Sequence, residues 1–131
     1  MYLSSRARAD TRRLGQRGEE AAVRLLKHEN MTILARNYRC KAGELDIVAL
    51  DGRELVFVEV KSLRKKAFFT PASNLSMNQR RRNRNAAKVY LRMINSPQIS
   101  ARFDLVEAVY WKNILLSIRR TEDYQPPLIL R

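Results

Sequence analysis

The sequence predicts an α/β fold, a central mixed β-sheet of about five strands flanked by helices. Three observations predict it. Two stretches repeat their apolar residues at three- and four-residue steps, as one face of a helix requires. Runs rich in Val, Ile and Leu, bounded by turn residues, mark the strands. Their order is helix, three strands, helix, two strands, which lacks the strict β-α-β alternation of a doubly wound parallel sheet.

Residues 1–13 (MYLSSRARADTRR) are polar and basic and read as an N-terminal arm or a frayed helix start, ahead of a single domain over 14–120. From about Leu14 to His28 the apolar positions Leu14, Ala21, Ala22, Leu25 and Leu26 predict the first helix. A short strand, TILARNYR (32–39), follows. Residues 44–61 then form a hairpin around Asp51 and Gly52. The stretch SLRKKAFFTPASN (62–74) reads as an irregular basic loop, since Pro71 and the small polar residues suit no regular element.

The second helix spans Ser76 to about Ile94 and opens on S-x-x-Q (Ser76, Gln79), the form of a capping box. Ala86, Ala87, Tyr90, Leu91 and Ile94 share one face of it, and Arg81, Arg84, Lys88 and Arg92 make a basic stripe on the other. SPQ (96–98) ends it. The strands RFDLVEAVYW and NILLSIRR are joined by a turn near Lys112, with Tyr110 and Trp111 read as packing residues. The tail, 121–131, is too rich in Pro to extend a central strand.

Composition narrows the function classes. No apolar run approaches the ~18 to 20 residues that cross a bilayer, and the basic N-terminal stretch lacks the apolar core of a secretory signal. A cytoplasmic protein with no membrane partner is expected. The lone Cys40 and lone His28 exclude an intramolecular disulfide and a Cys/His zinc site. Any metal must therefore be held by carboxylates, which favours Mg2+ or Mn2+. A net charge of +13 calls for a polyanionic partner, because each phosphate contact releases counterions. Nucleic acid is the expected partner; charge alone also suits an anionic membrane surface or ribosomal RNA.

The hairpin GELDIVALDGRELVFVEVK carries the chemistry. With a two-residue turn at Asp51-Gly52 or at Gly52-Arg53, Asp46 lies diagonal to Glu59 or directly across from it, with Glu44 and Lys61 beside them. Leu45, Ile47, Ala49, Val56, Val58 and Val60 make the opposite, apolar face. Two carboxylates and a lysine converging at one strand end suit metal-assisted phosphodiester hydrolysis: the acids hold a hard cation and the ammonium offsets charge on phosphate. The plain alternative is a solvated strand end with a weak Glu59/Lys61 ion pair.

G-E-L-D-I-V followed by V-F-V-E-V-K resembles the D…ExK signature of the restriction-endonuclease-like (PD-(D/E)xK) nuclease superfamily. With G-x-x-G-E-x-x-A at 15–22, R-N-Y at 36–38 and R-F-D at 102–104, the chain resembles the YraN-like family of small bacterial proteins over roughly residues 14–110. Archaeal Holliday junction resolvases are similar in layout. The resemblance implies a restriction-endonuclease-like fold, Mg2+-dependent cleavage of DNA, branched or structured DNA among the substrates, and a homodimer as in the resolvases.

By the same resemblance Asp46 and Glu59 are metal ligands, with the Val60 carbonyl a third, and Lys61 supports the attacking water. Glu19 matches the family's acid on the first helix. Its spacing to Ala22, Val23 and Leu26 turns it toward the sheet, whereas Glu20 pairs in sequence with Arg24. Glu44 is a further acid or a supporting partner. Asp104 buttresses the site or caps a strand. Arg64, Lys65 and Lys66 are placed to meet the nucleic-acid backbone, with Arg81, Arg84, Lys88 and Arg92 tracking phosphates.

Two departures stand out. Phe68-Phe69-Thr70-Pro71 replaces the family's F-G-x-P, and Gln79 stands where a lysine is usual. Gln79 faces the sheet and could reach the site, but the capping box is its favoured role. Two other classes compete with the enzyme: a non-catalytic nucleic-acid-binding module, and an accessory subunit activated by a protein partner through Phe68, Phe69 and the apolar 128–130.

Overall fold

The structure, a computed structural model, describes residues 5–65, 75–96 and 98–125. The positions of Lys66, Phe68, Phe69, Pro71 and 128–130 lie outside the described residues. In chain order the elements are α1 (Ser5–His28), β1 (Thr32–Cys40), β2 (Gly43–Asp51), β3 (Glu54–Arg64), α2 (Met77–Met93), β4 (Ala101–Trp111) and β5 (Ile114–Thr121). The strands form one five-stranded sheet in the spatial order β1-β2-β3-β4-β5. Only β3 and β4 are parallel, because α2 carries the chain back between them; the other neighbours are antiparallel. The predicted mixed sheet flanked by helices is what forms.

The hairpin turns at Gly52-Arg53, where Gly52 adopts φ 61, and Asp51 pairs with Glu54. That register runs to Ile47 opposite Val58 and carries Asp46 to the position facing Glu59, where the β2–β3 ladder ends. The two helices cover opposite faces. Val56 and Val58 pack with Ile47, Ala49 and the α1 residues Ala22, Val23 and Leu26. Leu55 and Phe57 pack with Val48, Phe103 and the α2 residues Ala86, Ala87, Tyr90 and Leu91. At its turn end the hairpin is therefore core on both sides, since α2 covers the face read as mixed.

Several expectations change in detail. Helix α1 begins at Ser5, so residues 5–13 are helical rather than an arm; this stretch buries nothing until Leu14, which is why apolar periodicity missed it. Strand β3 continues through Arg64, held by its parallel ladder with β4, so Ser62, Leu63 and Arg64 belong to the strand and not to the loop. Leu45 packs in the α2 core rather than beside Ile47. Its partner on β1, Tyr38, changes face with it, next to Asn37 at φ 53, a left-handed conformation that Asn tolerates. Tyr110 is buried, but Trp111 is exposed on the sheet edge with Ile114, Leu115 and Leu116.

The tail's first residues fold back. The Tyr124 amide donates to the Phe103 carbonyl at 3.1 Å, and Arg80 lies over the Tyr124 ring. Asp104, fully buried on β4, accepts from Arg102 Nε at 3.0 Å and Arg120 Nη1 at 2.8 Å. Arg102 goes on to Glu54 at 2.6 Å and Asp51 at 2.9 Å, and Arg120 to Glu29. This network ties the β2–β3 turn, β5 and the end of α1 together. Among the described residues no helix is long and apolar enough to cross a membrane.

Candidate functional site

The site forms where β2 parts from β3. Beyond Val58 the Val60 amide has no β2 carbonyl to meet, and the Asp46 carboxylate takes its place: Val60 N–H donates to Asp46 Oδ2 at 2.8 Å. Glu59, one residue earlier on β3, faces Asp46 across the end of the ladder. Burial raises the Glu59 carboxyl, with the Asp46 charge adding to it, to about 8. Burial also raises Asp46, though the Val60 amide and Glu59 oppose the rise.

Successive residues of β3 face opposite layers, and this draws supports from both helices. Glu59 and Lys61 face α2. Asn83 Nδ2 donates to Glu59 Oε2 at 3.2 Å and lies 3.4 Å from the Tyr124 hydroxyl. One turn earlier on α2, Gln79 Oε1 accepts from Lys61 Nζ at 3.2 Å. The Gln79 side chain is thus spent on the site. The cap is made without it, by Ser76 Oγ accepting from the Gln79 amide at 3.1 Å.

Ser62 faces α1 at Gly18, where a Cβ would overlap its hydroxyl oxygen. The missing side chain lets α1 settle onto β3 and brings Glu19 to the acids. Glu19 lines a pocket of about 420 Å3 with Asp46, Glu44, Arg12, Gln16 and Asn37. Burial raises its carboxyl, and the Asp46 charge raises it further. Arg36 Nε stands 3.6 Å from Glu19 Oε1, too far for a hydrogen bond but an ion pair that, with Asn37, opposes the rise. Glu20 is exposed. Glu44 reaches only the edge of the pocket, half-exposed and 3.9 Å from Arg39.

The structure therefore brings together Glu19, Asp46, Glu59, Lys61 and Gln79, with Glu44 at the rim. It sets Asp104 apart, in the arginine network at the turn end, because its side chain is consumed by Arg102 and Arg120. Arg81, Arg84 and Lys88 line a shallow groove on the outer side of α2, with Arg92 exposed further along. Arg64 is exposed and Lys65 half-buried at the end of β3. Asn83 and Tyr124 were not singled out by sequence. Asn83 could have been found as the residue one helical turn after Gln79; nothing local marks Tyr124, which arrives from the tail.

Among the described residues no three His, Cys, Asp or Glu side chains are already drawn into a metal cage. The donors nonetheless suit a hard divalent cation: burial raises both the Asp46 and Glu59 carboxyls, which such an ion would offset, and Glu19 Oε1, buried without a hydrogen bond, lines the pocket with Asp46.

The profile of the uncharacterised protein family UPF0102 matches residues 18–108, from Gly18 on α1 to Ala108 on β4. The chain belongs to the UPF0102 family. It is 42% identical over 100 residues to a UPF0102 protein of Nocardia farcinica, covering 76% of this chain and 79% of that one. A UPF0102 protein of Moorella thermoacetica is 45% identical over 95 residues, covering 72% and 79%. One from Geotalea uraniireducens is 37% identical over 121 residues, covering 92% and 95%. The matched UPF0102 segment contains Glu19, Asp46, Glu59, Lys61, Gln79 and Asn83 together.

Proposed function

We propose that this UPF0102 protein is a divalent-metal-dependent endonuclease of the restriction-endonuclease-like (PD-(D/E)xK) superfamily, of the YraN-like type, that hydrolyses phosphodiester bonds of DNA in the cytoplasm. Branched or structured DNA is the candidate substrate. The observation that carries the reading is the meeting of the buried Asp46 and Glu59 carboxyls in the notch where β2 parts from β3, with Lys61 on the same strand.

Asp46 and Glu59 would hold the ion, with the Val60 carbonyl and Glu19 Oε1 as further oxygen donors. Bound there, Mg2+ or Mn2+ would activate water and offset charge developing on the phosphate. Asn83 holds the Glu59 carboxyl from the α2 side, and the Asp46 carboxyl is fixed by the Val60 amide. Gln79 steers the Lys61 ammonium, which supplies a preorganised positive charge for the phosphate oxygens. Arg64, Lys65, Arg81, Arg84, Lys88 and Arg92 supply sequence-independent affinity, in keeping with a net charge of +13.

The test is cleavage of matched linear, flapped and four-way-junction DNA with Mg2+ or Mn2+, wild type against Asp46→Ala. Metal-dependent cutting that disappears in the variant while DNA binding remains is the expected result. Wild-type binding without cutting by either metal would overturn the independent enzyme and leave a binding module or a partner-activated subunit. Symmetric cutting of a junction further requires a two-fold homodimer, which sedimentation checks.

A further inference from the structure

The acids occupy one flank of α1, and a second groove occupies the other. Residues Arg12, Gly15, Gln16 and Glu19 line the acidic pocket. Arg6, Asp10, Arg13 and Arg17, at three- and four-residue steps on the opposite flank, line a groove of about 520 Å3 closed by Arg64 and Asn113. The groove holds four arginines against one acid. Asp10 pairs with Arg13 at 3.4 Å, both side chains exposed. Arg17 is fixed in place, donating to the Asn113 carbonyl at 2.7 Å with its guanidinium over the Tyr110 ring.

The stretch of α1 between the flanks carries no core. Its first buried residue is Leu14, so the turns from Ser5 to Arg13 overhang the sheet. The flanks of a helix with side chains stand ~10–12 Å apart, and the major groove of B-form DNA is about 12 Å wide. A single strand passing the acids would leave the arginine groove empty behind the helix. A duplex would put one strand on each flank.

We propose that the groove of Arg6, Arg13, Arg17 and Arg64 binds a backbone phosphate of the second strand of duplex DNA, with the overhanging start of α1 in the major groove between the strands. This rests on the nucleic-acid reading of the adjoining site. Duplex RNA is the wrong shape for it, because the A-form major groove is too narrow to admit side chains.

The experiment measures fluorescence anisotropy of labelled duplex DNA, the same sequence as a single strand, and duplex RNA, in EDTA so that nothing is cut. Wild type is compared with Arg6→Glu/Arg64→Glu, and with Arg24→Glu/Lys27→Glu as a control of equal charge change on exposed positions further along α1. The expected result is a duplex-DNA affinity about tenfold lower or more, with the slope against log salt reduced by about two, and a single-strand change below about threefold. The control pair stays near wild type.

Equal losses for duplex and single strand, an unchanged duplex affinity, an equal loss in the control, or duplex RNA bound as tightly as duplex DNA would each overturn the proposal. Circular dichroism checks folding, and Arg6→Gln/Arg64→Gln repeats the measurement without reversed charge. The two readings fail separately: wild type that cuts no DNA yet shows the duplex-specific loss refutes the nuclease and keeps the groove. Cleavage with no duplex-specific loss does the reverse.

Discussion

Gln79 accepts a 3.2 Å hydrogen bond from the Lys61 ammonium, across the gap between α2 and β3. The side chain that resembles half of a capping box instead orients the lysine of the candidate site. Gln79→Ala should leave the helix start intact, because Ser76 Oγ caps through the backbone. Ser76→Ala should cost about 1 kcal/mol. In a cleavage assay Gln79→Ala should slow the reaction about 10–100-fold at unchanged DNA affinity, as for loss of a partner that orients a functional group, and Lys61→Met should slow it more. Equal effects of Gln79→Ala and Ser76→Ala on stability and rate would return Gln79 to the cap.

The raised Glu59 carboxyl makes a pH prediction. The folded Glu59 carboxyl is raised from 4.5 to about 8, so across that window the folded state binds more protons than the unfolded one. Stability should therefore be fully present below about 4.5 and fall as pH rises toward 8. Glu59→Gln should flatten the profile in thermal unfolding followed against pH. An unchanged slope in that variant would show that Glu59 is not the proton carrier.

Divalent metal should counteract the same loss. Since the ion competes with the Glu59 proton, Mg2+ or Mn2+ should bind more tightly as pH rises toward about 8 and raise the melting temperature most there. Calorimetric titration should detect proton release on binding to wild type and little heat with Asp46→Ala. Metal binding independent of pH would exclude this carboxyl pair as ligands.

Gly18→Ala should be destabilising by about 1–3 kcal/mol, because its Cβ meets the Ser62 hydroxyl and α1 must lift from β3. Ser62→Ala removes a buried hydroxyl that has no hydrogen-bond partner and should be near neutral alone. Combined with Gly18→Ala it should recover part of the loss in urea denaturation. Full additivity of the two would place the strain elsewhere.

Asp104→Ala should cost about 1–3 kcal/mol, since it removes the fully buried acceptor shared by Arg102 and Arg120, which keep Glu54, Asp51 and Glu29 as counter-charges. Because this network sits at the turn end, protein that remains folded should keep metal and DNA affinity close to wild type. A selective loss of metal binding without loss of stability would restore Asp104 to the site.

Much of the fold was legible because it is local. Apolar steps on Leu25, Leu26, Tyr90 and Leu91, and the turn at Gly52, identify the helices and the hairpin from a few neighbouring residues. The overhanging start of α1 was not legible, because a helix stretch that buries nothing has no apolar stripe to show. The facing of Leu45 was missed for another reason: strict alternation assumes an unbroken strand, and both strands change face beside Asn37. Asn83 and Tyr124 join Glu59 from distant parts of the chain.

By itself, then, the sequence determined the element order, the mixed sheet, the two candidate registers that set Asp46 diagonal to Glu59 or directly across from it, and the excess of positive charge. These follow from side-chain period, turn length and composition, which are properties of short range. The tertiary structure alone decided that Lys61 is held by Gln79, that Asp104 belongs to the arginine network, and that acids and arginines lie on opposite flanks of α1. Each depends on how a helix is set down on the sheet, and that is fixed by packing such as Gly18 against Ser62, between residues far apart in the chain.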